Sequence, residues 1–127
     1  MKLAVIGSRK FTNYLFLQRV IRNKFILSKI ECIVSGGAKG TDILAELFAD
    51  TYGIPKKIFY PEWKVYGKRA GFIRNEYIIE YADEVIAFWN GNSKGTKNSI
   101  DIAKRLKKKI YIIYVKGKVK WKKKLKD

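Results

Sequence analysis

Apolar residues along the chain form short, nearly continuous runs that are separated by longer amphipathic stretches. Continuous apolar runs are typical of strands that are buried on both faces of a parallel sheet. The predicted strands are residues 2–6, 31–35, 56–60, 84–88 and 109–115. The chain therefore supplies the strands for one parallel sheet.

The stretches between these runs place apolar residues at the three- and four-residue spacing of a helix. The predicted helices are residues 14–27, 40–52, 69–81 and 96–106. Asn13 or Thr12 caps the first helix, and Gly53 ends the second. Strands that alternate with helices predict an α/β fold: a single-domain, Rossmann-like three-layer sandwich with a mostly parallel five-stranded sheet in the order 3-2-1-4-5. Residues 118–121 are a candidate edge strand.

The amino-acid composition limits the kinds of metal site and catalytic group that the chain can form. The chain has no histidine and one cysteine, Cys32, so the commonest metal ligand and the commonest general base are both missing. We therefore expect no metal and no cofactor. No apolar run approaches the roughly 18 residues that cross a membrane, and residues 1–7 are typical of a first strand rather than of a signal peptide. A cytoplasmic protein with no membrane partner is the expectation.

The formal net charge is +17, from 28 basic and 11 acidic residues. Residues 116–127 hold seven of the lysines, and we interpret them as a basic C-terminal tail behind a domain of residues 1–115. Such a charge favours attraction to nucleic acid or to anionic ligands. The alternative is a compositional bias, because 22 of the 28 basic residues are lysine and isoleucine is also plentiful.

Two glycine-containing turns, residues 35–42 and 91–96, occupy the same position between a predicted strand and a predicted helix. Each follows a predicted strand and precedes a predicted helix, which places backbone N–H groups and the positive end of a helix at the carboxyl edge of the sheet. The order 3-2-1-4-5 brings both turns close to a third turn at residues 7–9. We therefore expect one anion-binding cleft. Neither turn has the spacing of a Walker loop or of a GxGxxG dinucleotide motif.

The candidate ligand-binding residues come from these turns, from the third helix and from the loop before that helix. They are Gly7, Ser8, Arg9, Ser35, Gly36, Gly37, Ala38, Gly40, Thr41, Asp42, Trp63, Arg74, Asn75, Asn92, Ser93, Gly95 and Thr96. Three of them have a simple structural alternative. Arg9 can be a solvated arginine, Asp42 can cap the second helix instead of gripping a ribose or base, and Trp63 can cover the edge of the sheet instead of stacking on a base.

Asp42 and Glu76 are the candidate catalytic residues if the protein is an enzyme. The reaction would be N-glycosidic hydrolysis without a metal, because a carboxylate near the anomeric carbon stabilises an oxocarbenium-like transition state and can activate water. For Glu76, a solvated position on the surface of the third helix is the alternative.

Five segments occur along the chain in a fixed order: GSR at 7–9, SGGAKGTD at 35–42, PEW at 61–63, AGFIRNE at 70–76 and ADEVIAFWNGNSKGT at 82–96. Together they resemble the SLOG superfamily, and more narrowly its small YspA/YpsA-related branch, over residues 2–106. The resemblance implies a Rossmann-like fold that binds nucleotides or nucleotide-derived ligands, and commonly a homodimer. Related proteins include lysine-decarboxylase-like phosphoribohydrolases, nucleotide sensors, and DprA proteins, which bind single-stranded DNA.

The chain departs from the PGGxGTxxE motif of the hydrolase branch. Ser35 replaces the proline, Ala38 and Lys39 lengthen the glycine spacing, and Glu46 lies farther along the helix than the family glutamate. We therefore expect binding of a nucleotide-like small molecule first and a nucleoside-monophosphate N-glycosidase second. DprA-like binding of single-stranded nucleic acid, through the basic tail, is the third hypothesis.

Overall fold

The computed structural model describes residues 1–115, so the candidate strand at 118–121 and the basic tail lie outside the described residues. Its strands are β1 (Lys2–Gly7), β2 (Cys32–Ser35), β3 (Lys56–Ile58), β4 (Glu84–Trp89) and β5 (Lys109–Tyr114). They form one sheet in the order β3-β2-β1-β4-β5, and every pairing within residues 1–115 is parallel. The predicted fold class and strand order are confirmed.

Within residues 1–115, four long helices and one short helix connect the strands. They are α1 (Tyr14–Lys24), α2 (Thr41–Tyr52), α3 (Trp63–Tyr66), α4 (Ala70–Tyr81) and α5 (Lys94–Arg105). Short 3₁₀ turns at Leu27–Lys29 and Gly67–Arg69 complete the connections.

The helices cover both faces of the sheet, and β1 shows why. Its Leu3 and Val5 pack into one core with α1 and α2, whereas Ala4 and Ile6 pack into a second core with α4 and α5. Successive side chains of a strand point to opposite faces, so an uninterrupted apolar strand supplies both cores. This arrangement is the three-layer sandwich.

Several element bounds differ from the prediction. The first helix ends at Lys24, because Phe25 has an extended backbone while its N–H still donates to the Ile21 carbonyl. The Phe25 ring packs edge-on against Tyr111, with the ring centroids 5.2 Å apart. This tertiary contact accompanies the extended backbone at the end of the helix. α3 forms at residues 63–66, within the predicted loop before the third helix. α5 begins two residues earlier than predicted, since the Ser93 side chain accepts from the Thr96 N–H and caps it.

The central strands β1 and β4 position the site. They pair in register up to Gly7 and Phe88, so the turns that follow them start side by side. The chain passes from β1 outward to β2 and from β4 outward to β5, and this reversal of strand order leaves a crevice at the carboxyl edge. Within residues 1–115, no helix is long and apolar enough to cross a membrane.

A polar cleft at the carboxyl ends of the strands

A cleft of about 490 Å³ lies at this reversal point. Residues from the ends of β1 and β4, from the glycine loop after β2, and from α4 and α5 line it. They are Ile6, Gly7, Ser8, Arg9, Lys10, Ala38, Asp42, Arg74, Asn75, Ile78, Asn90, Asn92, Ser93, Gly95, Thr96 and Ser99. The three predicted turns therefore contribute to one cleft.

The turn after β1 is fixed to the turn after β4 through Ser8. The Ser8 N–H donates to the Phe88 carbonyl at 2.9 Å, and the Ser8 hydroxyl accepts from the Asn90 N–H at 3.2 Å. Gly7 is required beside this contact, because a Cβ there would lie 2.6 Å from the hydroxyl oxygen of Thr41 and even closer to the Phe88 carbonyl. The Ser8 side chain therefore has a structural role at the base of the cleft, where it holds the turn after β1 against the turn after β4.

The same turn is fixed to the start of α2. The Thr41 hydroxyl donates to the Ser8 carbonyl at 2.9 Å, and Thr41 is completely buried. Gly40 precedes it with φ of +71°, and a Cβ at this position would lie 2.6 Å from the Ser8 carbonyl oxygen. Gly40 is therefore needed both for its backbone conformation and for the close approach of two chain segments.

Asp42 presents a carboxylate to the cleft. Its Oδ2 accepts from the Ala38 N–H at 3.1 Å, and the residue is only 8% exposed. α2 begins at Thr41, and its N-cap residue Gly40 provides no side-chain cap, so Asp42 organises the loop that precedes the helix instead of capping its end. Burial raises the pKa of Asp42, while the Ala38 hydrogen bond and the positive charge of Arg74 oppose this shift.

Arg74 supplies the buried positive charge behind this loop. Its guanidinium donates to the carbonyl of Gly36, and a Cβ on Gly36 would lie 2.6 Å from Nη1 of Arg74. Burial lowers the pKa of Arg74, and Asp42 opposes that shift. The Ser35 hydroxyl is fully buried as well and has no hydrogen-bond partner among residues 1–115.

Asn75 connects α4 to the start of α5. Its Nδ2 donates to Oδ1 of Asn98 at 3.0 Å and lies 3.5 Å from the Gly95 carbonyl. Its Oδ1 accepts from Nε of Arg74 at 3.1 Å. The buried amide therefore uses its donor and its acceptor together, which fixes its orientation in the wall of the cleft.

The turn after β4 is organised by its own polar side chains. Oδ1 of Asn90 accepts from the N–H groups of Asn92 and Ser93 at 2.8 and 2.9 Å. The Ser93 hydroxyl then accepts from the Thr96 N–H at 3.3 Å and lies 3.0 Å from the Thr96 hydroxyl. The first intrahelical bond joins the Lys97 N–H to the Ser93 carbonyl, so the N–H groups of Lys94 and Gly95 lie outside the helical ladder. The N-terminus of α5, which is the positive end of the helix dipole, therefore lines the cleft.

The structure brings most of the predicted site residues together. The predicted residues that line the cleft are Gly7, Ser8, Arg9, Ala38, Asp42, Arg74, Asn75, Asn92, Ser93, Gly95 and Thr96. A second group shapes the loop after β2 without lining the cleft: Ser35, Gly36, Gly37, Gly40 and Thr41.

Two predicted site residues lie elsewhere. Trp63 is half exposed, begins the short helix α3, and is not part of the lining. Glu76 forms an ion pair with Arg105 between α4 and α5 on the surface. The structure therefore places one of the two candidate catalytic carboxylates, Asp42, in the cleft.

The site prediction missed the polar residues Lys10, Asn90 and Ser99, which line the cleft. Lys10 directly follows Arg9, and Ser99 lies one helical turn after Thr96, so both could have been found from spacing alone. Asn90 precedes a Gly-Asn-Ser sequence, which is the pattern of an Asx turn. No cluster of three or more potential metal-ligating side chains occurs within residues 1–115.

A Rossmann-like α/β domain with a polar cleft at the reversal of its strand order is typical of proteins that bind phosphorylated ligands. Among solved structures, the fold is similar to DNA processing protein A (DprA) from Streptococcus pneumoniae, with a TM-score of 0.73 and 21% identity, over 93% of this chain and 51% of that chain. It is also similar to DprA from Helicobacter pylori, with a TM-score of 0.69 and 22% identity, over 88% of this chain and 64% of that chain. The structure of the latter is described in terms of its single-stranded DNA binding mode.

These similarities establish a Rossmann-like fold of the kind seen in the two DprA structures. The chain spans between about half and two thirds of the length of the two relatives. No protein-family model matches the sequence. The search of curated proteins gave no match either.

Proposed function

We propose that the cleft binds the phosphate-bearing part of a nucleotide or of a nucleotide-derived ligand. The observation that carries the proposal is the convergence of the α5 start, with its Ser93 and Thr96 hydroxyls, on the same cleft as Arg9 and Lys10. Helix N-termini attract anions through free N–H groups and the helix dipole, and an arginine fork adds bidentate hydrogen bonds to phosphate. Asp42, across the cleft, is suited to accept hydrogen bonds from a ribose or a base.

A thermal-shift screen tests this proposal. Nucleoside mono-, di- and triphosphates, cyclic dinucleotides and ADP-ribose are the panel, because a ligand that binds the folded state raises the melting temperature by mass action. Arg9→Ala should remove the shift, and Gly95→Asp should remove it by placing a carboxylate at the start of α5. Arg19→Ala removes the same charge from the exposed face of α1 and should leave the shift unchanged. A flat response over the whole panel would contradict the proposal.

N-glycosidic hydrolysis is a second candidate, favoured by one observation: Asp42 is a buried carboxylate within the cleft. Burial raises the pKa of this carboxyl, so it holds its proton to a higher pH than an exposed aspartate does. Glu76 does not line the cleft, so the reaction would depend on Asp42. Incubation with nucleoside monophosphates, followed by chromatography for free base, tests it. Release that is lost in Asp42→Asn supports the reaction, and no release argues against it.

Binding of single-stranded nucleic acid is the third candidate, and the similarity to the H. pylori protein favours it. The resemblance to DprA proteins lies in residues 7–9, 35–42 and 74–75, whereas the resemblance to the YspA/YpsA-related branch rests on five motifs that also include residues 61–63 and 82–96. Removal of residues 116–127 separates the contribution of the basic tail to nucleic acid binding from the contribution of the domain.

The expected homodimer also stays a prediction, which sedimentation analysis can test.

A further inference from the structure

We propose that Asn90 is a site of spontaneous deamidation, and that the carboxylate formed there weakens the binding of anions in the cleft. The first half of this proposal rests on the chemistry of the turn after β4 alone. The second half rests on the proposed function, because Asn90 lines the cleft close to the start of α5.

The reaction needs no partner other than water. The backbone nitrogen of Gly91 attacks Cγ of the Asn90 side chain and loses its proton, and Nδ2 leaves as ammonia, which closes a cyclic succinimide. Water then opens this ring at one of its two carbonyls and leaves an aspartate or an isoaspartate at position 90. No electrons are gained or lost, so no oxidant or reductant is required.

The attacking nitrogen is free and accessible. The Gly91 N–H has no hydrogen-bond partner among residues 1–115, and both Asn90 and Gly91 are exposed. A Cβ on Gly91 would meet nothing within 4 Å, so no neighbouring segment shields this peptide. Glycine has no side chain beside its nitrogen, and its backbone can rotate toward the geometry of the ring.

The turn also prepares the side chain of Asn90 for attack. Its Oδ1 accepts from the N–H groups of Asn92 and Ser93 at 2.8 and 2.9 Å. An asparagine oxygen that is bonded to the N–H two residues later keeps Cγ folded back over the intervening peptide, which here contains the nitrogen of Gly91. The two N–H groups also stabilise the negative charge that develops on Oδ1 during the attack. The leaving group, Nδ2, donates to no group of residues 1–115.

The other five asparagines of the chain lack this combination. Asn13 is followed by Tyr14, whose side chain hinders the attacking nitrogen. Asn92 is followed by Ser93, whose N–H is already held by Oδ1 of Asn90. The other three lie within helices, where the N–H of the next residue belongs to the helical ladder. They are Asn23, Asn75 and Asn98.

A carboxylate at position 90 would lie at the positive end of α5. The helix dipole and the two N–H groups stabilise an anion there, so the fold should lose no stability. The same charge repels an anionic ligand and competes with it for the start of the helix. Deamidation should therefore reduce anion binding over time, in one direction, while the domain stays folded.

Peptide mass spectrometry of the full chain, sampled during incubation in mildly alkaline buffer, tests the modification. Asn90 should gain the mass difference between an amide and an acid earlier than any other asparagine, and fragment spectra separate it from Asn92. Gly91→Ala should largely remove the gain, because its Cβ hinders the nitrogen. Modification of Asn92 or Asn13 before Asn90, or an unchanged rate in Gly91→Ala, would overturn the first half. Circular dichroism checks the fold of the variant, and the comparison among asparagines in the parent chain needs no variant.

Asn90→Asp reproduces the charge of the product and tests the second half. Titration with inorganic phosphate, with sodium chloride at matched ionic strength as the reference, gives an apparent affinity from the rise in melting temperature. The affinity should fall about two- to fivefold, as expected for one charge at a helix N-terminus, while the melting temperature without phosphate stays the same or rises. Asn23→Asp makes the same change of charge at an exposed position on α1 and should leave the affinity unchanged.

The outcomes separate this proposal from the proposed function. Equal phosphate affinity of Asn90→Asp and the parent chain would overturn the second half alone. A parent chain that responds to phosphate no more than to chloride would contradict the second half and also count against an anion site in the cleft. The mass measurement decides the first half in either case.

Discussion

Nε of Arg74 donates to Oδ1 of Asn75 at 3.1 Å, and this pair joins the two glycine loops of the cleft. Arg74 reaches the Gly36 carbonyl in the loop after β2, while Asn75 reaches Asn98 and approaches the Gly95 carbonyl in α5. One dipeptide on α4 therefore sets the distance between two loops that are separated by more than 50 residues of sequence. The shape of the cleft depends on this connection as well as on the loops themselves.

Asn75→Ala should destabilise the fold by about 1–3 kcal/mol, because it removes a buried donor and leaves Nε of Arg74 without its acceptor. Urea unfolding measures the change. Asn23→Ala, at an exposed position on α1, should change stability by less than about 0.5 kcal/mol. The nucleotide thermal shift should also shrink in Asn75→Ala and not in Asn23→Ala. Equal effects of the two substitutions would contradict the bridging role.

Gly40→Ala should be much more destabilising than Gly53→Ala. φ is positive at both positions, +71° and +65°, but ψ is −122° at Gly40, outside the regions open to alanine, and 29° at Gly53, inside the left-handed region. A Cβ on Gly53 meets nothing within 4 Å, so this substitution reports backbone strain alone, about 1 kcal/mol. A Cβ on Gly40 collides with the carbonyls of Ser8 and Arg9 and should cost several times more. Chemical denaturation of both variants makes the comparison. Similar losses would mean that the turn after β1 can move away from α2 at little cost.

The parallel sheet and its order could be predicted because the buried strands are apolar on both faces and alternate with helices. The cleft could be predicted because strand order alone decides which turns become neighbours. The positions of Trp63 and Glu76 could not be predicted, since they depend on tertiary contacts: Trp63 lies on α3, which contacts α4, and Glu76 is paired with Arg105 from another helix. The hydrogen bond between Thr41 and Ser8 likewise joins segments whose closeness appears only in the folded chain.

Glu76→Gln should have little effect on stability or on ligand binding. The side chains of Glu76 and Arg105 are 36% and 58% exposed, and an ion pair open to solvent contributes less than about 1 kcal/mol. Thermal unfolding with and without the best nucleotide from the screen measures both properties. Asp42→Asn is the comparison, since Asp42 lines the cleft and Glu76 does not. A loss of ligand binding in Glu76→Gln would mean that Glu76 leaves its ion pair and turns toward the cleft in the bound state.

The buried carboxylate of Asp42 should make the stability of the protein depend on pH. Burial raises the pKa of this group in the folded state above its ordinary value of 3.8. Its contribution to stability is therefore fully present below pH 3.8, where both states hold the proton. As the pH rises, the unfolded chain loses its proton first, so the free energy of unfolding falls until the pH has passed the folded-state pKa. The sign is opposite to that of a carboxylate whose pKa is lowered by an ion pair.

Asp42→Asn isolates this contribution. Asparagine can still accept from the Ala38 N–H but does not titrate, so the fall in stability with rising pH should disappear from the variant. Urea unfolding at intervals between about pH 4 and pH 7 gives the free energy of unfolding of both chains, and their difference removes the titration of all other groups. Substitution also removes the partial neutralisation of Arg74, but that guanidinium stays charged over this range and shifts the difference by a constant. The variant should therefore gain stability relative to the parent as the pH rises, whatever the constant offset. A difference that is independent of pH would show that the neighbours of Asp42 offset the penalty of burial, and a difference that falls with rising pH would show that they outweigh it.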